Sequence, residues 1–163
     1  MIFSVIVPFI NEEKYIRGCI AALLEQDFPE REYELIFIDN GSSDASASIV
    51  KQFDRVKLLE LKERNVYFAR NKGLEEASGD IVAFTDADCV VSKDWLKQIY
   101  ALMKNPDILI ALGNVSFNCK NSFILKIFQD YQNVTAEYTV SNFSRRKYFG
   151  FNSLKILTYS QKR

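Results

Sequence analysis

The stretch FTDADC, residues 84 to 89, sets Asp86 and Asp88 one residue apart, directly after an apolar run. While the backbone stays extended, residues i and i+2 project to the same side, so both carboxylates face one point with Ala87 turned away. At about 5 Å and an effective dielectric near 20, the two charges repel by roughly 3 kcal/mol. A proton on one carboxylate, a neighbouring Arg or Lys, or a divalent cation offsets such a repulsion. The cation does it best, because Mg²⁺ or Mn²⁺ is typically held by one or two carboxylates together with substrate phosphates. The chemistry this spacing suggests is the binding of a metal-bound phosphate ligand, with Asp86 and Asp88 on the metal.

Two further polar clusters follow apolar runs in the same way: PFINEE (Pro8 to Glu13) and DNGSSD (Asp39 to Asp44). Neither a GxGxxG after a strand nor a GxxxxGK[ST] is present, so the conventional glycine-rich phosphate cradles are missing. A metal bridge is the remaining route to a phosphate. Each cluster also has a plainer reading. Glu12 and Glu13 suit the first turn of a helix, Asp44 suits a helix start, and Arg70 with Asn71 suits a polar helix face. Cys19 and Cys89 read as small core residues.

The elements that must position these groups alternate along the chain. Ile2 to Val7 is a continuous β-branched run, the pattern of a strand buried on both faces. Asn11 is placed to cap a helix with Ile16, Cys19, Ile20, Leu23 and Leu24 inward. Further strands are expected at Tyr33 to Ile38, Val56 to Leu61, Ile81 to Phe84 and about Ile108 to Leu112. Serine-capped residues lead into a helix with Ile49, Val50 and Phe53 inward. A helix through Tyr67 to Ala77 is stopped by Gly79, and another runs from Lys93 to Met103. Beyond Ser122, the spacing of Ile124, Ile127, Phe128, Tyr131, Val134 and Tyr138 predicts an amphipathic helix; no element is assigned after Thr139. Strand and helix alternation predicts an α/β fold, a parallel sheet with helices on both faces. In such a sheet ligands bind outside the carboxyl ends of the strands, where all three polar clusters fall.

The bulk numbers restrict the partners. The 163 residues suit one domain, and 21 basic against 21 acidic side chains give no broad field for nucleic acid. Residues 145 to 163 hold six of the basic residues and no acid, so the body is acidic and the tail basic. Three widely spaced cysteines and no histidine fit reduced thiols in a reducing compartment, not a zinc site. No stretch reaches the roughly 18 to 20 apolar residues that span a bilayer. The opening run lacks a basic leader and reads as a strand.

SVIVPFINEEKYI, LIFIDNGSSDAS and FARNKGLEEASGDIVAFTDADC, in this order and spacing, resemble the nucleotide-sugar half of family 2 glycosyltransferases. The match covers about residues 2 to 112. It implies a Rossmann-like GT-A fold, a nucleoside-diphosphate sugar donor, a divalent metal (Mn²⁺ or Mg²⁺), and inverting transfer in the synthesis of cell wall or polysaccharide. By the same resemblance, Pro8, Ile10 and Glu12 line the base and ribose pocket. Asp39 and Asn40 match a pair whose second member reads the base. Arg70 belongs to an A-R-N segment beside the nucleotide. Asp86, with Ala87, approaches ribose and metal, and Asp88 is the main metal ligand to the diphosphate.

Residues 1 to 114 are thereby expected to form a nucleotide-sugar-binding half and 115 to 163 a partial acceptor-side half of one GT-A domain. No catalytic base is assigned; Asp130 and Glu137 are the only acids left after Asp107. YFGFNS is similar to the family's acceptor-side loop, whereas LKILTYSQKR departs from it, which suggests a truncated coding sequence. The rival for the basic tail is a peripheral anchor at the inner face of the membrane, through Phe149, Phe151, Leu154, Ile156 and Leu157. A cytoplasmic location is expected, the acceptor being a glycan, lipid or protein. Surface left bare by a missing half would favour a homodimer. Two other functions stay open: binding of nucleotide-sugar without transfer, and a metal-dependent nucleotidyltransferase, which lacks its glycine- and lysine-bearing loop here.

Overall fold

The computed structural model describes residues 1–61 and 64–105 in full and the backbone of 110–112 and 157–160. The chain divides into two compact units, Met1–Ala111 with Ile156–Arg163 and Leu112–Lys155, and the fold described is that of the first. Its elements are β1 (Phe3–Phe9), α1 (Ile16–Leu24), a 3₁₀ turn (Glu30–Glu32), β2 (Tyr33–Asp39), α2 (Ser46–Val50), β3 (Val56–Glu60), α3 (Val66–Glu76), β4 (Ile81–Phe84), α4 (Trp95–Met103), β5 (Ile110–Leu112) and β6 (Leu157–Ser160). The sheet order is β3-β2-β1-β4-β6-β5. The first four strands are mutually parallel, as the alternation of elements predicts. β6 runs antiparallel to β4, a strand that no residue pattern announces.

β1 is the centre of the sheet, and every residue of it is buried. A strand covered on both faces needs an unbroken apolar run, which FSVIVPF supplies. On one face Phe3, Val5, Val7 and Phe9 join Leu35, Phe37 and the α1 residues Ile16, Cys19, Ile20 and Leu23, with Leu96 and Ile99 of α4. On the other, Ile6, Ile36, Ile38 and Val82 meet Ala69 of α3.

Several local expectations change. Asn11 does not cap α1, whose flanking residue is Tyr15 without a side-chain cap. Asn11 instead takes a left-handed conformation, φ 56°, in the loop before it. Glu12 and Glu13 precede α1, so the first-turn reading does not hold for them. α2 has no serine cap: its flanking residue is Ala45, and Asp44 Oδ1, one residue earlier, accepts from Ser46 N at 3.0 Å. Gly79 is not a left-handed helix stop: α3 ends at Ala77 in an extended conformation. Glycine is needed there because a Cβ would lie 2.5 Å from the Phe3 carbonyl carbon and 2.6 Å from Ser4 N. The close approach of two backbones, not a turn, selects it. The helix expected beyond Ser122 and most of the basic tail lie outside the described residues.

Candidate functional site

The strand register brings the three polar clusters to one edge. Phe9 of β1 pairs with Asp39 of β2, and Ile6 pairs with Phe84 of β4. Asn40 N donates to the Phe9 carbonyl at 2.8 Å, and Thr85 N donates to the Ile6 carbonyl at 3.3 Å. Beyond Pro8, which is still within β1, Ile10 and Glu12 therefore leave the sheet between Asp39–Asn40 on one side and Asp86–Asp88 on the other.

The loops after β1 and β2 interlock. Asn11 N donates to Ser42 Oγ (3.0 Å), Glu12 N to Ser46 Oγ (2.8 Å) and Glu13 N to Asp44 Oδ2 (3.1 Å). In return Ser43 N donates to Asn11 Oδ1 (2.8 Å) and Ala45 N to Glu13 Oε2 (3.1 Å). Burial would raise Asp44, but the bonds from Ser46 and from the Glu13 backbone hold it below the usual carboxylate range. Asp44 and Glu13 are thus engaged in fixing the loops, and Ser46, fully buried, serves the same end. The sequence offers these serines only as helix caps, since their bonds here cross 31 to 34 residues of chain.

Asp39 and Asn40 are both buried, at 6% and 7% exposure. Asp39 Oδ1 accepts from Ser42 N at 2.8 Å, and Asn40 Oδ1 accepts from Asn65 N at 2.8 Å. Gly41 follows with φ 84°, a backbone that lets the chain reverse at the end of β2.

The DAD segment departs from the extended geometry expected of it. β4 ends at Phe84, and Cys89 N closes a turn onto the Asp86 carbonyl at 3.1 Å. Asp86 and Asp88 meet through this turn and not through strand alternation. Arg70 Nη2 lies 3.1 Å from Asp86 Oδ1, so the adjacent cation considered above is part of what offsets the repulsion. Asp88 is exposed and Ala87 buried. Burial raises Asp86, opposed by Arg70 and reinforced by Asp88. Glu12 is raised by burial and by the charges of Asp88, Asp44 and Asp86, which places all four acids in one field. Beneath the turn, burial pushes the Cys19 thiol up to about 12 and the Cys89 thiol to about 11, which keeps both protonated.

Among the described residues no three acid or cysteine side chains converge to hold a metal by themselves. The donors present, two carboxylates at the solvent side of a turn with Glu12 near them, fit a hard divalent cation that takes its remaining ligands from a diphosphate.

An α/β sheet whose parallel strands end in an acidic crevice is the donor-binding framework of GT-A glycosyltransferases. The chain belongs to glycosyl transferase family 2, whose model matches residues 4–160. It is 37% identical over 123 residues to Glycosyltransferase AglE of Haloferax volcanii, covering 72% of this chain and 40% of the relative. Staphylococcus aureus TarS (1-349), solved with UDP-GlcNAc, superposes with a TM-score of 0.64 at 34% identity, covering 68% of this chain and 33% of that one. The mannosyltransferase PcManGT of Pyrobaculum calidifontis, solved with GDP-Man and Mn²⁺, gives a TM-score of 0.64 at 30% identity, covering 66% and 34%. The chain spans less than half the length of these relatives. Among the described residues no helix is long and apolar enough to cross a membrane.

Proposed function

We propose that the chain binds a nucleoside-diphosphate sugar at the β1–β2–β4 edge and acts as the donor half of a metal-dependent, inverting glycosyltransferase. The observation that carries it is the strand register, which sets Asp86, held by Arg70 at 3.1 Å, and Asp88 at the same sheet edge as the buried Asp39–Asn40 pair. Pro8, Ile10 and Glu12 line the base and ribose, with Asp39 and Asn40 below them and Ala87 at the ribose end. Because the Asn40 carbonyl is held by Asn65, its NH₂ group is the end offered to a base carbonyl. Arg70 orients Asp86 and stands ready to meet the diphosphate. A divalent cation on Asp86 and Asp88 would supply neutralisation of the charge that builds on the departing diphosphate. Support for the ligand class comes from the nucleotide-sugars bound to the two solved relatives.

In this reading residues 1 to 114 form the donor half and 115 to 163 part of an acceptor half, with the protein cytoplasmic. No catalytic base is assigned, and Asp130 and Glu137 lie outside the described residues. A second reading, binding without transfer, rests on the absence of an assigned base. Calorimetric titration with UDP, GDP and dTDP, with and without Mn²⁺, tests the donor site. One nucleotide is expected to bind only with Mn²⁺, and Asp88→Ala to lose that binding; binding unaffected by either would sink the metal assignment. Release of free sugar, or its transfer to an acceptor, separates the two readings.

A further inference from the structure

The first turn of α3 forms a further side of the crevice. α3 runs opposite to the strands. Its start is tied to the end of β2 by the Asn65 N to Asn40 Oδ1 bond, and its end is tied to the start of the sheet, where Ser78 N donates to Glu34 Oε1 at 2.8 Å. The helix lies hard on the sheet at Gly73, where a Cβ would stand 2.5 Å from Ile6 Cγ2 and 3.0 Å from Ile38 Cδ1. Val66, Ala69, Arg70, Gly73 and Ala77 share one stripe at helical spacing. Ala69 and Ala77 pack on the sheet, and Arg70 reaches Asp86. Val66 lies on that inner stripe yet is 40% exposed.

Geometry explains the exposure. From Gly73 back to Val66 the helix advances about 10.5 Å, whereas β2 covers only about 3.3 Å from Ile38 to its last residue, Asp39. Val66 therefore lies beyond the end of the sheet, next to Asn65, whose N–H is bonded to Asn40. Arg64, just before it, lies over Gly41, its Cγ 3.3 Å from where a Cβ would stand. We infer that Val66 is a nucleobase-contacting residue, the apolar wall against which the nucleobase of the bound nucleotide packs. This rests on the donor-site reading and adds to it a residue that contacts the base and not the phosphates.

The full 163-residue chain would be titrated with Mn²⁺ and each of UDP, GDP and dTDP, and separately with Mn²⁺ and inorganic pyrophosphate. Val66→Ala is expected to weaken the nucleotide about three- to tenfold, the range for losing part of one apolar contact, and to leave pyrophosphate unchanged. Val66→Leu, which keeps an apolar wall, is expected to retain nucleotide affinity. Unchanged nucleotide affinity in Val66→Ala, or an equal loss for pyrophosphate, would overturn the inference. A wild-type chain that binds none of UDP, GDP and dTDP would overturn the donor-site reading itself, and the role of Val66 with it.

Discussion

Glu34 shows how one side chain can hold several elements. Burial would raise its pKa, but Ser4 Oγ at 2.6 Å, Ser78 Oγ at 2.7 Å, Ser78 N at 2.8 Å and the charge of Lys57 hold it below the ordinary 4.5. A carboxylate lowered in the folded state contributes stability above its unfolded pKa, and that contribution fades as the pH falls through the folded one. Stability is therefore expected to decline on acidification below about pH 4.5. Glu34→Gln should start lower at neutral pH and lose less on the way down, as urea unfolding at a series of pH values would read. An identical slope in both proteins would remove Glu34 from the account. The thiols answer to the opposite sign. With Cys19 raised to about 12, the unfolded chain ionises first, so stability should fall as the pH rises above 9.

Between elements, buried polar contacts and missing side chains set the spacing. Gln26 is 8% exposed; its Oε1 accepts from Leu96 N at 3.0 Å, and its Nε2 donates to the carbonyls of Ala22 and Ser92. It thus serves, from just beyond the end of α1, as a remote cap for α4. Gln26→Leu leaves the Leu96 N–H buried without an acceptor and should cost about 1–3 kcal/mol. Faster amide exchange confined to the first turn of α4 would mark the mechanism. At the helix–sheet contacts, Gly73→Ala meets the branched side chain of Ile6 and should cost about 1–3 kcal/mol. Gly79→Ala meets backbone, which has no rotamer to yield, and should cost more. If denaturant midpoints ranked the two the other way, the account of these contacts would fail.

At the scale of the molecule, the fold places its ligand groups on loops at one end of a rigid parallel core. The proposed nucleotide site draws on three strand ends and one helix, so its occupation should stabilise the unit as a whole. Mn²⁺ with the preferred nucleotide at a hundredfold excess over Kd should add about 2.7 kcal/mol, a rise of a few degrees in Tm. Asp88→Ala should unfold at the same temperature with and without ligand. A ligand-induced rise persisting in that variant would place the ligand elsewhere.

The α/β order, the buried central strand and the grouping of three polar clusters at the carboxyl edge were legible in the residues. Unbroken apolar runs and 3.6-residue periodicity are local properties, and parallel register follows once they alternate. Asp39, Asp86 and Asp88 announced themselves because charges directly behind a buried strand need a reason. Contacts between distant residues decided the rest. Asn11 looked like a helix cap and became the left-handed corner of an interlocked loop, because Ser42 and Ser43 stand across from it. Gly79 looked like a helix stop and is a point of backbone contact. The DAD segment turns where an extended strand was expected, and β6 joins the sheet from more than 70 residues away. Sequence periodicity records which face of an element is buried; what that face meets is fixed only when the chain has closed on itself.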